Sequence, residues 1–182
     1  MSAQAGRYQR SFSGMVGAMV VLLLVILGFV AFRAINRNDV ADPVVALDWR
    51  HPASYARDQA DFDVLAPSSL PAGWIATSAR WTGGHDEHWH LGMLTGQRQY
   101  VGVEQEDRSV QDMVEEYVDP NAARGKDVRI GGQTWQSWFD DEDQALVLPQ
   151  DDVTTLVVGT LDRASVEDFV RTLRQAPGSA SG

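Results

Sequence analysis

Residues 11–32, SFSGMVGAMVVLLLVILGFVAF, carry no charged side chain. This run constrains the chain more than any other feature. At about 1.5 Å per helical residue it reaches roughly 33 Å, against a hydrocarbon core of about 30 Å. A cleaved signal peptide has an apolar region of only about 7–15 residues followed by a small-x-small site. Phe32-Arg33-Ala34 and Asp39-Val40-Ala41 match such a site poorly. The run therefore predicts one uncleaved transmembrane helix at 11–32.

Arg7 and Arg10 precede the run, and Arg33 and Arg37 follow it. Arginine counts alone do not orient it. The short tail 1–10 also carries the α-amino charge, whereas residues beyond 38 hold 11 basic and 25 acidic side chains. The simplest topology keeps the tail in the cytoplasm and places the C-terminal domain outside the plasma membrane. An acidic domain is repelled by anionic head groups, so it stands off the surface.

The formal net charge of −10 argues against nucleic acid as a partner, because phosphate recognition needs a basic footprint. Cysteine is absent. That excludes a disulfide framework, a thiolate nucleophile, Cys-ligated zinc and a lipidated Cys. Lys126 is the only lysine among the basic residues, a composition that suggests a high-GC bacterial source.

Beyond the run, residues 33–60 read as a stalk, since Asp42-Pro43 and His51-Pro52 disfavour a continuous helix. A short helix around Ala53–Ala60 is compatible with the pattern. Residues 61–175 form the globular domain, and 176–182 a disordered tail. Short β-type runs alternate with turns: 62–66, 74–82, 88–95, 100–106, 128–130, 133–139, 145–148 and 154–159. His88–Thr95 and Tyr100–Glu106 read as a hairpin around Gly96-Gln97-Arg98.

Two helices stand out by period. Val110, Met113, Val114 and Tyr117 recur at i, i+3, i+4, i+7 within Ser109–Val118, as do Val166, Phe169, Val170 and Leu173 within Ser165–Arg174. Ser109 and Ser165 are candidate N-caps, each followed three residues later by an Asp. About three strands precede each helix. The expected fold is α+β: antiparallel sheet or sheets with two amphipathic helices packed on one face. A duplicated β-β-β-α module, at 74–118 and 128–174, competes with the simpler reading that any sheet-packed helix looks like this.

The order of features carries a resemblance. An anchor and stalk lead into Ala66-Pro67-x-x-Leu70-Pro71-x-Gly73-Trp74-x-x-Thr77-Ser78-Ala79-Arg80. Trp89-His90-Leu91-Gly92, Tyr100-Val101-x-Val103-x-Gln105 and Gly131-Gly132-x-Thr134-Trp135 follow, then a closing helix. This resembles a family of actinobacterial single-pass membrane proteins, the domain of unknown function 4245. The resemblance implies location and architecture. It implies no activity and supplies no catalytic residues.

Three of the four histidines fall in His85-Asp86-Glu87-His88-Trp89-His90. On a strand His88 and His90 share one face while Trp89, Leu91 and Met93 take the other. Two imidazoles at i, i+2, with His85 or Glu87 as a third ligand, are a candidate site for a divalent metal such as Zn. They are also a candidate pH sensor, since Asp86 and Glu87 favour protonated imidazole. The competing reading is a polar loop running onto the wet face of a half-buried strand. The run Asp140-Asp141-Glu142-Asp143 lacks the loop glycine and ligand spacing of an EF-hand and reads as a solvated hairpin tip.

Six tryptophans are present. Trp135 and Trp138 have opposite parity, as do Trp74 and Trp81, so on regular strands each pair straddles the sheet. These four are the candidate interaction surface, against a reading in which all are core or edge packing. No Gly-x-Ser-x-Gly, His-Glu-x-x-His, P-loop or Gly-x-Gly-x-x-Gly occurs. The expectation is a membrane-anchored binding module of a bacterial envelope, not an enzyme and without a resident cofactor. Its partner would be an envelope protein, lipid or glycan. The alternatives are a metal- or pH-responsive sensor at His85, His88 and His90, or a structural accessory. A Ser-His-Asp arrangement assembled in three dimensions leaves no linear motif.

Overall fold

The computed structural model describes residues 14–17, 19–23, 25–26 and 45–178, in two units, Met1–Pro43 and Val44–Gly182. In the first unit the described residues are α-helical, and the side chains of Met15, Met19, Val21 and Val25 are exposed. Among the described residues no helix is long and apolar enough to cross a membrane. The expected span at 11–32 lies only partly among them. The expected tail 1–10, residues 33–44 of the stalk and residues 179–182 lie outside them.

The second unit is α+β. Its chain order is α1 (Arg50–Gln59), β1 (Leu65–Pro67), β2 (Ile75–Thr82), β3 (His88–Leu94), β4 (Tyr100–Glu106) and α2 (Val110–Tyr117). Then come β5 (Ala123–Arg124), β6 (Val128–Ile130), β7 (Gln133–Phe139), β8 (Gln144–Pro149), β9 (Thr154–Gly159), α3 (Arg163–Val170) and β10 (Leu173–Gln175). The main sheet runs β2-β3-β4-β9-β8-β7-β5, with β6 beside β7, while β1 and β10 form a separate ribbon. Every pairing is antiparallel.

The β-β-β-α order does occur twice, as β2-β3-β4-α2 and β7-β8-β9-α3. The helix placement differs from expectation. Met113 and Val114 of α2 cluster with Ala145 and Val147 of β8 and Leu156 and Val158 of β9. Val166, Phe169 and Val170 of α3 cluster with Leu146, Leu148 and Val157. Successive residues of a strand point to opposite faces. The two helices therefore cover opposite faces of the sheet, not one face. This explains why β9 is buried along its whole length.

The caps differ as well. Ser109 caps α2, its side chain accepting a hydrogen bond from the Asp112 backbone N–H. In α3 the cap is Asp162, which accepts from the Ser165 N–H at 2.9 Å, so Ser165 lies inside the helix. The helix ends at Val170, and Leu173–Gln175 instead pairs with Leu65–Pro67. The first strand is thus Leu65–Pro67 rather than 62–66.

Residues 45–60 are part of the domain rather than of a stalk. Trp49, Ala53 and Ala56 repeat at helical spacing and are buried in the main core. Their small side chains let α1 lie close to β2, and the Leu47 N–H reaches the Ala76 carbonyl at 2.9 Å. Pro52 does not break this helix because it sits in the first turn, where its missing N–H has no intrahelical acceptor. At the other end Ala176 is buried and donates to the Val64 carbonyl at 2.7 Å.

Candidate functional site

On β3 and β4 the alternation of side chains separates two surfaces. Trp89, Leu91, Met93, Val101 and Val103 enter the main core. Their neighbours His88, His90, Gly92, Gly102, Glu104 and Glu106 face the other way. The hairpin register sets His90 opposite Glu104, His88 opposite Glu106 and Gly92 opposite Gly102. On β2, Ser78 pairs with Gly92 and Arg80 with His90. A polar patch therefore crosses three strands.

Glu104 is its centre. It is only 2% exposed. Its Oε2 accepts from His88 Nε2 at 2.8 Å, and its Oε1 accepts from His90 Nδ1 at 2.6 Å. A carboxylate can only accept, so the hydrogen on His90 resides on Nδ1. The Nε2 of the neutral ring then accepts from Ser78 Oγ at 2.7 Å. A buried carboxylate left alone is costly, and two short charge-assisted bonds offset that cost.

Around this core, Tyr117 from α2 tilts against the His88 ring at 6.3 Å and donates its hydroxyl to Glu106. Glu106 also lies 3.4 Å from Arg108. The hydrogen bond to Glu104 raises the His88 pKa above the ordinary 6.5; burial opposes this, and the charges of Glu106 and Glu104 add to it. Burial pushes the Tyr100 hydroxyl up to about 12. Burial, then the bond to Glu106, raises Tyr117.

The glycines make room for this arrangement. A Cβ on Gly92 would stand 2.5 Å from Ser78 Oγ and 3.2 Å from His90 Nε2. A Cβ on Gly102 would stand 2.6 Å from the Tyr100 hydroxyl. A β-bulge between Ala76 and Ser78 completes the site. It shifts parity, so Ala76, Ala79 and Trp81 all turn to the core while Ser78 turns to the histidines.

Of the three histidines proposed as a set, the structure unites only His88 and His90, whose rings lie 6.3 Å apart. His85 is exposed in the preceding loop and lines an acidic hollow with Asp61, Glu87, Asp107, Asp151 and Asp152. Both ring nitrogens of His90 are already engaged. Among the described residues no group of three or more His, Cys, Asp or Glu is placed to hold a metal ion. Glu104 and Glu106 are absent from the set read in the sequence. The hairpin centred on Gln97 carried the signal, because a symmetric register about that turn puts residue 104 opposite residue 90.

None of the four proposed surface tryptophans is exposed. Trp135 is buried in the main core. Trp74 stacks on Phe169 at 5.4 Å, and Trp81 meets Phe62 edge-on at 5.9 Å. Trp138 lies on the α2 side under the Arg124 guanidinium, at 5.6 Å. Trp135 and Trp138 do straddle the sheet. Trp74 and Trp81 do not, because the bulge restores them to one side. Asp140 accepts from the backbone N–H groups of Glu142 and Asp143 at 2.8 and 2.5 Å, making the acidic run a hairpin tip.

Among solved structures, the crystal structure of MucB in complex with MucA(peri) is similar at 16% identity and a TM-score of 0.38. The match covers 65% of this chain and 39% of that one, so this chain spans about two-fifths of its length. No curated protein matches the chain. Residues 7–173 match the family described as protein of unknown function (DUF4245), and the chain belongs to that family.

Proposed function

We propose that this chain is a membrane-tethered binding module of a bacterial envelope. Ser11–Phe32 anchors it, the N-terminus is cytoplasmic, and the domain from residue 45 onward works outside the plasma membrane. The polar face of β2, β3 and β4 meets an envelope protein, lipid or glycan. Support for the anchor is the uncharged run itself, with Met15, Met19, Val21 and Val25 at least 60% exposed, an arrangement suited to lipid. The observation that carries the binding face is Glu104. A buried carboxylate held by two histidines on the strand face turned away from the main core is costly to build, and an apolar face would serve stability better.

The same observation favours a second element, pH response. Protonation of His88 adds positive charge beside Glu104, Glu106, Arg80 and Tyr117, and so changes the charge a ligand meets. To test the face, a photo-crosslinking residue is placed at Arg80 on β2, with a control at Asp168 on α3, in the full chain in its own envelope. The expected result is a discrete adduct from position 80 but not from 168. Its yield should change between about pH 5.5 and about pH 8. Equal labelling from both positions would contradict the assignment of the face.

A further inference from the structure

We propose that Ser78, His90 and Glu104 form a nucleophilic centre that transfers an acyl group from an ester to water. The inference stands apart from the tether and the binding partner, since it needs neither. Three observations carry it.

The first is the order of atoms. Ser78 Oγ meets His90 Nε2 at 2.7 Å, and the opposite nitrogen, Nδ1, meets Glu104 Oε1 at 2.6 Å. A nucleophile, a base and an orienting acid are recognised by this geometry, whatever their order in the chain. The tautomer is the required one, because the buried carboxylate fixes the hydrogen on Nδ1 and leaves the Nε2 lone pair facing the hydroxyl. The second is redundancy. His88 and His90 already occupy both oxygens of Glu104. The Ser78 bond adds nothing to the satisfaction of the buried acid. The third is space. Gly92 has no side chain where one would collide with Ser78 Oγ at 2.5 Å, and Ser78 sits half-buried on the outermost strand of the sheet.

Ser78 Oγ attacks the carbonyl carbon of the ester while its proton passes to His90 Nε2. The carbon–oxygen bond to the alcohol breaks, and His90 returns the proton to the departing oxygen. Water then attacks the acyl-serine, giving up a proton through His90, and the acid leaves with Ser78 restored. Glu104 is a positioning residue that holds the imidazole in one tautomer. Arg80 is exposed on the same strand face, about 6.6 Å further along β2. It supplies positive charge for the developing oxyanion.

The test uses the full chain with a fluorophosphonate probe and p-nitrophenyl acetate. The expected result is a single adduct on the peptide containing Ser78 and ester hydrolysis that rises with pH. Ser78→Ala removes the adduct and lowers turnover about 100-fold or more, since without the hydroxyl the general-base contribution of His90 is lost as well. Glu104→Gln lowers turnover and moves the pH profile, which a purely structural loss would not do. Thr77→Ala, beside the nucleophile, retains labelling. Absence of an adduct on the folded wild-type chain overturns the proposal, as does equal labelling of the folded Ser78→Ala variant.

Discussion

Glu104 stands directly across the β3–β4 hairpin from His90 and accepts a hydrogen bond from its Nδ1 at 2.6 Å. Glu104 Oε2 takes a second bond, from His88, at 2.8 Å. One buried carboxylate therefore fixes two imidazoles on the same face. The consequences reach from stability to pH dependence.

His88 gains its partner on folding, so its pKa is raised above 6.5 in the folded state. Its contribution to stability is complete below the unfolded value of about 6.5 and is lost as pH rises through the folded value. Urea titrations across this range should show that decline in the wild type. In His88→Gln the decline from this residue should vanish. An identical pH dependence in both would show that the His88–Glu104 bond contributes nothing.

Gln105 is fully buried and holds the chain where it enters β1. Its Oε1 accepts from the Leu65 N–H at 2.6 Å, while its Nε2 donates to the Asp63 carbonyl and Thr155 Oγ1. Trp89, its cross-strand partner, donates to the Leu65 carbonyl at 3.0 Å. Gln105→Ala takes this partner from the buried Thr155 hydroxyl and the half-buried Leu65 N–H and should cost about 1–3 kcal/mol by chemical denaturation.

Because α2 and α3 lie on opposite faces, their cores are independent. Met113→Ala should cost about 2–5 kcal/mol and Phe169→Ala about 3–5 kcal/mol. Combined, the two should add to within about 0.5 kcal/mol. A coupling energy well above that would mean the two helices share one core.

The two serines read as N-caps in the sequence should behave differently. Ser109→Ala removes the cap of α2 and should cost about 1 kcal/mol. Ser165 lies inside α3 behind Asp162, so Ser165→Ala should stay within about 0.5 kcal/mol. Thermal denaturation of the two variants separates these cases.

Much of this architecture is legible in the residues. The period of Val110, Met113, Val114 and Tyr117 shows that α2 is amphipathic, and the alternation of His88-Trp89-His90 shows which side chains share a face. An amphipathic helix does not say which side of a sheet it covers. That information lies in the continuous apolar runs Ala145–Leu148 and Leu156–Val158, which need cover on both faces. Pro52 suggests a break because its place in a first turn is visible only once the helix start is known. The parity of Trp74 and Trp81 misleads because a bulge inserts one residue without a clear sequence mark. Glu104 is hidden among many acids until the hairpin register pairs it with His90.

The most direct measurement is a long-range ¹H–¹⁵N spectrum of the imidazoles in the full chain, recorded across pH with and without Glu104→Gln. The structure predicts that His90 is a single tautomer with its hydrogen on Nδ1, and that His88 titrates above 6.5. Both signatures should be lost when Glu104 becomes Gln. Two histidines that behave as mixed, freely exchanging tautomers, unchanged by Glu104→Gln, would contradict the site.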